Sequence, residues 1–384
     1  MKEVKKRDLR IFRKSFLRKR LTYIFDFIRG MESGVYDKLL EVTKAKKLDE
    51  IKKKKIDNKI LLPGKNIPLE WWYFTGHLNS EDKKFGFEYC IFKMHPQILR
   101  LGFIPLSFVR KKPFLVFHSS ITDKTGKKFS FHQDTGMIHE DKINYKKLKL
   151  KLNDAELDYD GKFHLKSENF NLEVTPKKEL IKHFDKGFKI MYPNYRTYYV
   201  TFPRAEVKGK IKNKNKNYDV NGFCWFDHQK SNVPEKGNLL GWDWFGIMLD
   251  DNTEIMLFML RSRRGLEKYK VGGSYINKKS DIIKLGPKDV NVNHTDIWKS
   301  PETGIVYPSG WLLEIPKLKI KLKIVPVIKN QEISSVLTTP KSYWEGACDV
   351  SGIKKGKKIK GNSYVELVGY DNRIISEIIG KSMS

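Results

Sequence analysis

Residues 69–92 read LEWWYFTGHLNSEDKKFGFEYCIF, and residues 241–260 read GWDWFGIMLDDNTEIMLFML. In both stretches an aromatic cluster, Trp71-Trp72-Tyr73-Phe74 or Trp242-Asp243-Trp244-Phe245, precedes a hydrophilic turn and then an apolar strand, Phe85 to Phe92 or Glu254 to Leu260. The clusters are 171 residues apart. Two copies of one unit therefore fill the 324 residues after residue 60, each near the length of an eight-stranded barrel. Phe85, Phe87, Tyr89 and Ile91 alternate with Gly86, Glu88, Cys90 and Phe92, the period of two that a β-strand requires.

The same period continues outward. Leu148-Lys149-Leu150-Lys151-Leu152 and Leu318-Lys319-Ile320-Lys321-Leu322-Lys323-Ile324 place lysines on one strand face and aliphatics on the other. Residues 212–217, alternating Lys and Asn, read as a polar hairpin tip. Little helix is expected after residue 61. The fold class is all-β, with a basic helical extension over 1–60, a first barrel over 61–215 and a second over 216–384. Within the extension, Leu9, Phe12, Phe16, Leu17, Leu21, Ile24 and Ile28 recur at helical spacing beside Arg13, Lys14, Arg18, Lys19 and Arg20. A further helical stretch, Tyr36 to Ile56, ends in the run Lys52 to Lys55.

The 384 residues carry a formal charge of +30, with 40% hydrophobic and 31% charged residues, the composition of a folded chain. Residues 1–60 hold 20 Lys/Arg and 9 Asp/Glu, so the extension is more basic than the body. It can lie on an anionic membrane or pack on its own protein. A signal peptide fits poorly, because Leu21 to Ile28 is short, contains Asp26 and lacks a small-residue cleavage site. No run reaches the ~18 apolar residues of a span; Ile98 to Val109 is interrupted by Arg100 and Pro105. Cys90, Cys224 and Cys348 are odd in number and form no CxxC pattern, which suits a reducing, cytoplasmic location with peripheral membrane contact as an option. Neither a metal nor a cofactor is expected. The lysines read mainly as strand exterior, so no nucleic-acid partner is expected either.

Three clusters join acids to large aromatics: Glu70 with Trp71 and Trp72, Trp225-Phe226-Asp227-His228, and Trp242-Asp243-Trp244. A carboxyl flanked by indoles loses hydration, which raises its pKa and keeps it an acid near neutrality. Indole faces also stabilise cations. Such a set suits protonation of an alkene and shelter of the carbocation. Glu70, Trp71 and Trp72 equally suit a barrel plug, and Trp344-Glu345-Gly346 reads as strand packing. Asp243 should face away from Trp242 and Trp244 unless a bulge intervenes. No GxSxG and no phosphate loop is present.

Residues 69–76 (Leu-Glu-Trp-Trp-Tyr-Phe-Thr-Gly), Phe202-Pro203-Arg204-Ala205-Glu206-Val207-Lys208-Gly209, Trp225-Phe226-Asp227-His228 and Gly241-Trp242-Asp243-Trp244-Phe245 resemble the AttH-like and carotenoid 1,2-hydratase family. So do Trp298 to Gly304, Tyr307-Pro308, Tyr343 to Gly346 and the segment Tyr364 to Tyr370. The resemblance runs from about residue 63 to 370. It implies two tandem lipocalin-like barrels and a hydrophobic isoprenoid or lipid-like ligand. The activities it implies are hydration of prenyl double bonds, cyclisation of polyenes, or lipid carriage. By motif position it carries a catalytic histidine over to His228 and an acid to Asp243 or Asp227, with Trp71, Trp72, Trp225, Trp242, Trp244 and Glu70 lining a pocket at the barrel contact. Lys230 departs from the family, which usually has tryptophan there. The rival expectation is a non-catalytic lipid-binding protein that docks on anionic membrane through residues 1–60.

Overall fold

The computed structural model describes residues 58–98, 100–101, 104–105, 107, 110–137, 139–192, 195–232, 239–262, 271–334 and 342–370. The two expected helices, at 9–29 and 36–56, lie outside the described residues. No described helix is long and apolar enough to cross a membrane.

Two curled antiparallel sheets form tandem lipocalin-like barrels. The first has 13 strands. Its hydrogen-bonded order is Lys128–Thr135, Phe114–Asp123, Lys84–Met94, Leu69–Asn79, Lys216–Ser231, Tyr195–Asn213, Phe170–Pro176, Phe163–Ser167, Ala155–Tyr159, Lys149–Leu152 and Asp141–Asn144, with Ile181–Lys182 and Phe188–Tyr192 also on Tyr195–Asn213. The second, of 10 strands, runs Ile282–Leu285, Val271–Ile276, Glu254–Ser262, Leu239–Leu249, Lys357–Val368, Tyr343–Lys354, Ile320–Pro326, Val306–Ile315 and Asn291–Lys299, with Glu332–Ile333 on Tyr343–Lys354. The sequence repeat maps onto these sheets. Each aromatic strand lies between its hairpin partner and the last strand of its own sheet.

One boundary moves. The expected division at 215/216 falls inside a hairpin, Tyr195–Asn213 with Lys216–Ser231, whose pairing from Thr197↔Ser231 to Asn213↔Lys216 keeps both strands in the first sheet. Its tip is the two-residue turn Lys214-Asn215, with Lys214 at φ 58°. The chain passes to the second sheet between residues 231 and 239.

Alternation does the packing. Leu150 and Leu152 are buried while Lys149 and Lys151 are exposed, and Ile320, Leu322 and Ile324 are buried while Lys321 and Lys323 are exposed. Each such aliphatic contributes roughly 1.5–3 kcal/mol on burial. One core, with Trp72, Phe74, Phe163 and Phe226, fills the first barrel, and a second, with Phe245, Trp311 and Trp344, fills the other. A third core forms where the outer faces of the two sheets meet: Tyr73, Tyr199, Trp225, Trp244, Met256, Phe258 and Tyr364. We call this contact the seam. The sheets come so close at Gly86 that a Cβ there would stand 2.5 Å from that of Ala347.

A bulge at Pro203-Arg204 breaks the register between Phe202 and Ala205. It re-aims the strand so that Arg204 Nε reaches Glu254 of the second barrel at 2.7 Å. Lys178 Nζ meets the same buried carboxylate at 2.6 Å and donates to the carbonyls of Asn252 and Asn277. This clamp holds one end of the seam.

Candidate active site

Strand alternation decides which residues of the aromatic clusters meet. In Leu69–Asn79, Trp72 and Phe74 point into the first barrel, while Tyr73 packs in the seam and Trp71 packs half-buried at its edge. In Leu239–Leu249, Phe245 points into the second barrel, while Trp244 packs in the seam and Trp242 lies half-buried at its edge. Tyr73 and Trp244, equivalent in the repeat, meet edge to face at 5.5 Å. Tyr73 pairs with Asp227 on the neighbouring strand, and Trp244 pairs with Glu366. Asp227 and Glu366 are therefore equivalent acids, one from each barrel, brought to a common contact.

Each acid is held by an indole. Trp225 Nε1 donates to Asp227 Oδ1 at 2.6 Å, and the Tyr199 hydroxyl donates to Asp227 Oδ2 at 2.5 Å. Trp244 Nε1 donates in turn to the Tyr199 oxygen at 2.8 Å. Trp242 Nε1 donates to Glu366 Oε2 at 2.7 Å. Two further carboxyls share the seam. Tyr73 donates to Glu345 Oε1 at 2.7 Å, and Tyr343, itself 2.7 Å from His118 Nδ1, lies 3.4 Å from Glu88 Oε1. Among the described residues, neither lysine nor arginine forms an ion pair with any of the four.

Burial without a countercharge has the expected electrostatic effect. Desolvation pushes Asp227 up to about 7, despite the donors that favour its anion. Desolvation, aided by the neighbouring Asp227, raises Glu366 to about 7. Glu88 rises to about 8 for the same reason, with Glu366 adding to it, and Glu345 rises well above the usual carboxylate range. These carboxyls hold protons into the neutral range, where ordinary carboxyls have lost them. Glu366 is half-buried beside Trp242, whereas Asp227 is only 3% exposed, so Glu366 is the more accessible of the two acids.

The other expected site residues lie elsewhere. His228 follows Asp227 on the strand and so faces the interior of the first barrel. It stacks on Trp72 at 4.7 Å, and its nitrogens lie 2.8 Å from the Trp71 carbonyl and 3.0 Å from that of Ile60. Burial, with Lys230 nearby, lowers it to about 3. Trp72 donates to the Leu61 carbonyl at 2.9 Å. Glu70 is fully buried, 3.6 Å from Lys93 and 3.7 Å from Lys230, and accepts from Gly64 N–H at 2.8 Å. Lys230 also donates to the Leu62 carbonyl at 2.6 Å. Glu70, Trp72 and His228 thus form a plug that ties the segment 60–67 into the barrel mouth. Asp243 faces away from Trp242 and Trp244, as alternation requires, into the second barrel. There it is ion-paired with Arg261 and accepts from the Tyr370 hydroxyl at 2.9 Å. The structure brings together Asp227, Trp71, Trp225, Trp242 and Trp244, and separates Glu70, Trp72, His228 and Asp243 from them.

Tyr73, Glu88, Tyr199, Glu345 and Glu366 are seam residues that the sequence reading did not place in a site. Glu366 carried no such signal, because the 171-residue repeat does not extend to it and its equivalence to Asp227 comes only from strand register. No group of His, Cys, Asp and Glu among the described residues is arranged to hold a metal.

Comparison with known proteins agrees with this architecture. A Nitrosomonas europaea AttH protein shares 23% identity at a TM-score of 0.72, over 84% of this chain and 100% of that one. The kievitone hydratase of Nectria haematococca shares 13% at a TM-score of 0.64, over 85% of this chain and 98% of that one. These likenesses show the fold. A search of curated proteins gave no match. The profile of the AttH-like family matches residues 61–370, the two barrels and the seam between them, and the chain belongs to that family.

Proposed function

We propose that the chain is a hydratase-type enzyme that adds water to a carbon–carbon double bond of an isoprenoid or other lipid-like substrate at the seam. The carrying observation is the pair of equivalent acids, Asp227 and Glu366, each fixed by an indole N–H and each raised to about 7. Half-buried Trp71, Phe92 and Trp242 pack against the seam core, Trp242 in contact with Glu366, and offer an apolar wall to the substrate.

The chemistry follows from these groups. Protonated Glu366 delivers a proton to one alkene carbon. The cation that forms on the other carbon lies against indole faces, which stabilise positive charge in a site with little water. Water adds to that carbon and loses a proton to a carboxylate of the pair, which restores the acid. Glu366, deprotonated by the first step, is the carboxylate that takes this proton, and the neighbouring Asp227, held by Tyr199 and Trp225, helps to keep it protonated. The family membership and the hydratase in the fold neighbourhood favour this reading over lipid carriage. Assay of the purified protein on a panel of prenylated substrates, with Asp227→Asn and Glu366→Gln variants alongside, is the test. Unchanged turnover in both variants would remove the acid pair from the mechanism.

A further inference from the structure

The seam changes character along its length. Trp71, Tyr73, Thr75 and His77 occupy successive seam-facing positions of one strand, so aromatic groups give way to polar ones over roughly 20 Å at about 3.3 Å per residue. Beyond His77 lies a polar cleft of about 520 Å³ between the barrels, lined also by Asn79, Lys84, Lys124, Arg204 and Asn362. Between that cleft and the acid pair, six buried side-chain atoms have no aligned hydrogen-bond partner among the described residues: Thr75 Oγ1, His77 Nδ1, Glu88 Oε2, Ser120 Oγ, Glu345 Oε2 and Tyr364 Oη.

These atoms belong to a contiguous chain of groups. Thr75, Glu88 and Ser120 stand directly opposite one another on three adjacent strands, roughly 5 Å apart from one to the next. The Ser120 hydroxyl lies beside both Glu88 and Tyr364 without an aligned hydrogen bond to either. Tyr364 meets the His77 ring edge-on at 5.9 Å. Glu345 stands opposite Glu366 on the adjacent strand and accepts from Tyr73, two positions from Thr75, so it links the polar groups to the acid pair. His77 Nε2 donates to the Ser363 carbonyl at 3.1 Å, so Nδ1 presents a lone pair. Burial lowers this histidine to about 4, which keeps that lone pair free at neutral pH.

A buried polar atom with no partner costs about 1–3 kcal/mol, and folded proteins meet that demand with internal water. The set mixes hydroxyls, which donate and accept, with carboxyl oxygens and an imidazole lone pair. That mixture matches water better than a metal ion.

We propose that the polar half of the seam is a hydrated path that carries water from the cleft at His77 to the Asp227–Glu366 pair. The proposal rests on the hydratase reading of that pair. Addition of water to an alkene consumes one water per turnover: a C–H bond forms with the acid's proton, a C–O bond forms with water oxygen, and one water O–H proton returns to the pair. A lipid-like substrate lying against Trp71 and Trp242 shuts the aromatic end to solvent, so the co-substrate enters from behind.

The test has two independent arms. A crystal structure of the full chain at a resolution that orders internal solvent should show water bridging Ser120, Glu88 and Tyr364 and reaching His77; a dry seam overturns the proposal. On a prenylated substrate that the wild-type protein hydrates, Thr75→Val and Ser120→Val, which remove hydroxyls, should lower kcat at least tenfold with KM unchanged. Ser120→Ala serves if the valine variant does not fold. Wild-type kcat in the folded variants overturns delivery even if the seam is wet. Absence of turnover in the wild-type protein sinks the hydratase reading and delivery with it, while solvent in the seam is still read from the crystal.

Discussion

In the plug of the first barrel, Glu70 lies between Lys93 and Lys230 at 3.6 and 3.7 Å, whereas in the seam Asp227, Glu366, Glu88 and Glu345 have indoles, phenols and one another for company. Both places bury acids almost completely, except that Glu366 is half-buried. In the plug, burial raises Glu70 too, but two ammonium groups and a backbone donor oppose the rise, and such a network works as a structural tie. In the seam, burial without a described cation pushes the acids toward their protonated form. A proton held by burial, with no described lysine or arginine paired to the carboxyl, is the kind the proposed hydration would use.

The comparison breaks most severely if Glu366→Gln leaves activity intact. Loss of a general acid typically costs 10²–10⁴ in rate, and steady-state kinetics on a prenylated substrate should show a fall of about that size with the fold unchanged by circular dichroism. Next in size is the plug. Lys93→Ala strips a countercharge from a site with no solvent and should cost about 3–5 kcal/mol of stability in urea titrations. The seam residues outside that network should keep their spectroscopic signatures.

A pH titration of stability separates the two regions more finely. Asp227, Glu366 and Glu88 have folded-state values above those of the unfolded chain, so the folded protein holds protons that the unfolded chain releases. Their stabilising contribution is complete at acid pH and is lost as pH rises through about 7 to 8. Buried His77, His118, His183 and His228 are lowered to between about 3 and about 4 and act in the opposite sense, destabilising as pH falls below the ordinary histidine value. Between pH ~6.5 and ~8 the acids act alone, so unfolding free energy should fall with rising pH there, and Glu88→Gln should flatten the slope. At the small end, Trp242→Phe removes the indole donor to Glu366 while keeping a ring, and should shift the alkaline limb of the activity profile upward with less than a tenfold change in rate. Lys323→Ala, on the solvated strand face, should change stability by less than about 0.5 kcal/mol.

Much of the fold was legible because alternation and repetition are local. Leu150, Leu152, Ile320, Leu322 and Ile324 announced the barrel interior by their period, and the Trp71 and Trp242 clusters announced two copies. The seam was harder to read. Glu88 sits in Phe87-Glu88-Tyr89, where alternation assigns it to solvent, and that assignment fails only because the second barrel covers the face. Its neighbour Tyr343 is 255 residues away in sequence. Adjacent Asp227 and His228 looked like one functional unit, yet the pleat sends them to opposite sides of the sheet. The domain boundary was misplaced because a polar hairpin tip resembles a linker when its strands' partners are unknown.

The Glu254 clamp bears on how the protein can be divided. Severing the chain between residues 231 and 239 would leave Lys178 and Arg204 on one fragment and their shared carboxylate on the other. Each fragment would also bare one side of the seam's aromatic core. Two such pieces are matched by charge and by shape, and co-expressed halves should find each other and reconstitute the whole, which makes this chain a natural scaffold for fragment complementation.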